Sequence, residues 1–71
     1  MGMGITAQTL ARIKESDLTS HKVLHECWES SFGTLTHIAF NTILNEAGLE
    51  NSNNEDVKFV IDMIKHNISS Q

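Results

Sequence analysis

Leu24, Trp28, Phe32, Leu35, Ala39 and Ile43 recur at steps of 4, 4, 3, 4 and 4, the spacing that lines side chains up on one face of an α-helix. No proline interrupts this row, and the chain contains none. The row predicts one continuous helix over residues 20–46, about 40 Å long at a rise of ~1.5 Å per residue. Only Gly33 disturbs it. An interior glycine costs roughly 1 kcal/mol relative to alanine, so Gly33 is the expected place for a kink or for a close crossing with another helix.

Turn-forming residues cluster on either side of this row, at residues 16–20 and 47–54. Before it, residues 6–15 carry Leu10 and Ile13 at i, i+3 behind a Thr6 cap, which predicts a short helix that depends on docking. After it, Ala47-Gly48-Leu49 suits a left-handed glycine cap, with Leu49 folding back on Ile43 or Leu44. Asn53 or Asn54 can then cap a third helix that has Glu55 and Asp56 in its first turn, where carboxylates favour the positive helix end. Val57, Val60, Ile61, Ile64 and Ile68 give that helix a narrow aliphatic stripe. The expected architecture is all-α: an antiparallel helical hairpin of the long second helix and the third, with a short N-terminal helix, in a single domain spanning residues 1–71. Residues 1–4 are expected to be a disordered start or a cloning scar ahead of a native Met3. The opening MGMGIT also meets the myristoylation pattern at Gly2 and Thr6, though the doubled Met-Gly reads more simply as the scar.

Seventy-one residues bury only about 60% of the surface the unfolded chain would expose, so a domain of this size usually leans on a disulfide, a metal or a second subunit. One cysteine, Cys27, excludes an internal disulfide. Phe59 and Met63 lie roughly 150° round the third helix from its aliphatic stripe, and Phe40 and Leu44 lie off the main row of the second helix, close to each other. An intramolecular hairpin would leave both pairs in water unless the first helix covers one of them. The stronger expectation is a homodimeric bundle that buries them between subunits. The expected interface comprises Trp28, Phe32, Phe40, Leu44, Phe59 and Met63.

The stretch HKVLHEC, residues 21–27, resembles a metal site at first sight. His21 and His25 share a helical face, whereas Cys27 is turned about 200° from His25 and points elsewhere. Glu29 extends the row as the only third ligand in reach, and zinc would need a further group from another segment. Boundary histidines at a packing interface are the favoured reading, with His21, His25 and Glu29 as the residual metal candidates. His66 is the only other candidate near a helix end, and His37 lies on another side of the second helix. Cys27 reads as a small core residue beside Val23. No nucleophile-base pair and no glycine-rich phosphate loop is evident, and a bundle this small has little room for a catalytic cavity. An enzyme is therefore not expected, nor is a cofactor.

Nine acidic against five basic residues give a formal charge of −4, which argues against sequence-independent nucleic-acid binding. The connection at residues 49–53 is longer than a helix-turn-helix turn, and Glu55 and Asp56 would meet phosphate with the wrong sign. No apolar run approaches the ~20 residues that span a bilayer. A cytoplasmic location is expected from the single cysteine and the lack of a signal-like apolar segment.

The segment LTHIAFNTILNEAGLENSNNEDVKFVIDMIKHNI, residues 35–68, resembles the two-helix core of the enterobacterial biofilm and acid-resistance regulator family (AriR/YmgB), small connector proteins of two-component signalling. The likeness is a helix that ends in a short glycine-containing, asparagine-rich loop, followed by a helix of aliphatic pairs, over about half the chain. It implies an all-helical homodimer acting by protein contact or on DNA. Residues 1–34, with Trp28 and the histidine pair, lie outside it. The expected function is a small non-enzymatic regulatory or protein-interaction module, homodimeric, with an unidentified protein partner. The alternatives are a phage or mobile-element inhibitor of a host protein and a DNA- or metal-binding transcriptional regulator.

Overall fold

A computed structural model describes residues 2–69, with side chains from residue 4 onward. The described residues form four helices and no strand: α1 (Gly2–Ser16), α2 (Leu18–Ser30), α3 (His37–Ala47) and α4 (Glu55–Ser69). The single long helix expected over residues 20–46 is two helices, separated by residues 31–36.

The break has a local cause. Ser30, Ser31, Gly33, Thr34 and Thr36 are all weak helix formers, together about 3 kcal/mol worse than alanine. Ser30, Ser31 and Thr36 also make bonds that a continuous helix would not allow. Ser31 is fully buried; its hydroxyl donates to the Trp28 carbonyl at 2.5 Å and accepts from Asn67 Nδ2 at 2.8 Å. Ser31 N–H donates back to the Cys27 carbonyl at 2.9 Å and Leu35 N–H to the Ser30 carbonyl at 3.1 Å, which closes the end of α2. Thr36 opens α3 by accepting from Ala39 N–H at 3.1 Å. Leu35 and Phe40 occupy the N′ and N4 positions of a hydrophobic staple around that cap, and both belong to the core or pack against it. Gly33 provides no close crossing, since a Cβ there would meet nothing within 4 Å.

The break changes the fate of the off-row residues. Phe40 is fully buried and Leu44 nearly so, because α3 is free to turn its 40/44 face inward independently of α2. Their expected place on an exposed second surface is therefore corrected: they are core. Conversely Phe32, expected on the buried face, is 51% exposed. The core is assembled from every element: Leu10 and Ile13 of α1, Leu24 and Cys27 of α2, Phe40 and Leu44 of α3, Leu49 of the connection, and Val57, Val60 and Ile64 of α4. Helix α1 packs against both α2 and α4, and α2 also meets α3 and α4.

The remaining boundaries follow their caps. Helix α1 begins at Gly2, ahead of the expected Thr6 cap and through residues expected to be a disordered start; it runs on through Gly4, and Thr6 is wholly buried. Asp17 caps α2 by accepting from Ser20 N–H at 3.1 Å and from the Ser20 hydroxyl at 2.7 Å. Gly48 ends α3 at φ 71°, and Leu49 N–H donates to the Leu44 carbonyl at 2.9 Å; this is the glycine cap the sequence predicts. Asn54 Oδ1 accepts from Asp56 N–H at 2.9 Å and Val57 N–H at 3.3 Å, fixing the start of α4.

The radius of gyration is 11.0 Å, against ~11 Å for a folded chain of this length. The chain exposes 4613 Å², close to the ~4,400 Å² typical of a monomeric protein of this mass. One chain therefore encloses its own core. Among the described residues, no helix is long and apolar enough to cross a membrane.

Candidate functional site

Helices α1 and α2 fold back on each other about Asp17 and leave an open groove of about 600 Å³ between them. Ala7 and Ala11, one turn apart on α1, supply so little bulk that a hollow remains above Leu10. The opposite wall is the outer face of α2, where His21, His25, Trp28 and Glu29 fall within an arc of about 100°, followed by Phe32 just past the helix end.

Two ring pairs furnish that wall. The His21 and His25 rings lie 5.5 Å apart at 31°. Trp28 and Phe32 meet edge to face at 4.9 Å and 77°, the arrangement favoured by the aromatic quadrupole. His21 Nδ1 lies 3.1 Å from the Leu10 carbonyl; a carbonyl only accepts, so Nδ1 carries a proton and its ring is pinned to α1. His25 Nε2 lies 3.8 Å from Glu29 Oε2. Among the described residues, Glu29 is the only carboxylate or permanent charge lining the groove. The last turn of α2 holds no basic residue, and its carbonyls are taken up locally: Cys27 and Trp28 accept from Ser31 N–H, Glu29 from Phe32 N–H, and Ser30 from Gly33 and Leu35 N–H.

The residues expected to act together are divided among three places. Trp28 and Phe32 come together on the groove with His21, His25 and Glu29. Phe40 and Leu44 are in the core, as described above. Phe59, 37% exposed, and the partly buried Met63 lie on α4 and line no part of the groove. Among the described residues, no three His, Cys, Asp or Glu side chains are grouped to hold a metal ion. The α1 side of the groove was missed in the sequence. The alanines at i, i+4 beside Leu10 were its only signal, and the Leu10–His21 bond that seats the wall had none.

Other candidate chemistry is occupied elsewhere. Cys27 is buried against the core, and burial, with the nearby Glu26 charge, pushes its thiol above the usual range, away from the thiolate a nucleophile needs. Arg12 grips Asp56 through Nε to Oδ2 at 3.2 Å and Nη2 to Oδ1 at 2.9 Å. That pair ties α1 to α4 and occupies the Arg12 guanidinium. It also holds the Asp56 carboxyl below its ordinary range and the guanidinium above its own.

No family model matches the chain, and no curated protein or solved structure matches it either.

Proposed function

We propose that this chain is a small non-enzymatic protein-interaction module of the cytoplasm, which acts as a homodimer and docks a segment of a partner protein in the α1–α2 groove. The observation that carries the reading is the groove itself. Its wall presents a half-exposed phenylalanine and the chain's only tryptophan, and buried aromatic anchors are where interface energy concentrates. Helices built for packing alone would turn such residues inward, as α3 does with Phe40.

The homodimer contact in this reading falls to Phe59 and Met63 of α4, since Phe40 and Leu44 are consumed by the core. A dimer is also what the resemblance of residues 35–68 to the biofilm and acid-resistance regulators implies. We read α3 and α4 as its antiparallel hairpin, supported by the 3.0 Å bond from His37 Nε2 at the first residue of α3 to Ser69 Oγ at the last of α4.

The test is site-specific photo-crosslinking in the source cell, with a benzophenone amino acid at position 32 and, as control, at the exposed Thr34. The expected result is a discrete adduct to another protein at position 32 only. Equal labelling at both positions would overturn the docking role. Sedimentation equilibrium of the wild type and of Phe59→Ser tests the dimer: a wild type that remains monomeric at micromolar concentration removes it.

A further inference from the structure

We infer that the occupant of the α1–α2 groove is a basic amphipathic helix of a partner protein, about three turns long, with an aliphatic face and a Lys or Arg at the rim. The inference rests on the docking reading above and adds the chemistry of what docks.

Length and openness favour a polypeptide. Residues 21–32 of the wall span about 16 Å at ~1.5 Å per residue, the length of an ~11-residue helix. The hollow opens to solvent along that length, whereas small-molecule sites enclose most of their ligand. Ala7 and Ala11 leave room for an incoming helix to approach α1, and apolar anchors at i, i+3 and i+4 are how such a helix fills a groove.

Charge decides which helix. Glu29 stands at the rim with its side chain 69% exposed, partnered only by His25 at 3.8 Å. No basic residue in the last turn of α2 offsets it. The whole chain carries −4, and Arg12 and Lys58 already face Asp56 and Glu55. A cation at the rim would meet Glu29 and the aromatic faces of Trp28 and Phe32 together. A second copy fits poorly: the outward Phe59–Met63 face of α4 has Asp62 beside it on the same helix, which would bring acid to Glu29.

The probe is a fluorescein-labelled synthetic peptide with leucines on one helical face and lysines at the rim, titrated by anisotropy into the full chain at low salt, up to about 100 μM. A matched peptide with glutamates in place of the lysines is the comparison. The lysine peptide should bind at least tenfold more tightly than the glutamate peptide. Phe32→Ala should weaken it tenfold or more, and Glu29→Gln severalfold, with helical circular dichroism unchanged in both variants. Equal binding of the two peptides, still lost in Phe32→Ala, would overturn the basic partner and leave the docking groove standing. No binding of either peptide, together with self-association that Phe32→Ala abolishes, would assign the groove to a second copy and overturn the inference. Binding of neither peptide without such self-association would overturn the groove as a docking surface along with it.

Discussion

Single residues at the helix ends do much to set this fold, and the two interior glycines separate cleanly. Gly48 sits at φ 71°, where a Cβ is strained, so Gly48→Ala should cost about 1 kcal/mol of stability. Gly33 has no positive φ and open space around it; Gly33→Ala should be neutral or stabilising by up to about 1 kcal/mol through the unfolded chain. Urea midpoints of the two variants should therefore move in opposite directions or differ by that margin. Asp17 and Asp56 make a second, pH-dependent prediction. Hydrogen bonds from the Ser20 hydroxyl and N–H lower the Asp17 carboxyl below its ordinary value of 3.8, and Arg12 does the same for Asp56. A lowered folded-state value stabilises the fold fully above pH ~4, and the contribution is lost as pH falls through the lowered values. Asp17→Asn with Asp56→Asn should be less stable at neutral pH and lose less on acidification, read by urea unfolding at pH 7 and pH 3.

At the scale of elements, the decisive event is the division of the expected long helix into α2 and α3. The aliphatic stripe of α4, the Gly48 cap and the Asn54 cap were legible because each is a local pattern with one structural solution. The break was written in the same kind of residue, Ser30-Ser31 and Thr36, but the apolar row across it, Leu24 to Ile43, remains helical in spacing and masks it. Periodicity reports that residues could share a face; whether they do depends on what the partner helix can cover. Helix α4 has 15 residues, too short to cover a 27-residue face, so the chain gains more by turning Phe40 and Leu44 inward on a separate helix. The consequence is measurable. Phe40→Ala should cost about 3–5 kcal/mol, a large share of the ~5–15 kcal/mol that holds an ordinary domain, and by the same amount at two protein concentrations tenfold apart. Phe32→Ala, at a half-exposed site, should cost under about 1 kcal/mol. If Phe40 served an interface instead, its loss would shrink on dilution.

For the whole molecule, the radius of gyration and exposed surface are those of a chain that closes its core alone, so apolar residues left outside require another explanation. The principal extents of 30 × 30 × 16 Å describe a flat body. On that surface, Trp28 and Phe32 stand over the hollow left by Ala7 and Ala11, with Glu29 at the rim. Half of this site was readable: the sequence singled out both aromatics, the histidine pair and Glu29. Their meeting in one groove was not, because the wall faces α1, and the seating of α2 on α1 depends on the Leu10 backbone carbonyl, which sequence pattern does not encode. The docking role of this groove is tested most directly by amide chemical-shift mapping of the isotopically labelled chain with the lysine-rimmed peptide. The shifts should centre on Ala7, Ala11, His25, Trp28 and Phe32 and spare α3. Shifts centred on Phe59 and Met63, or none at saturating peptide, would contradict it.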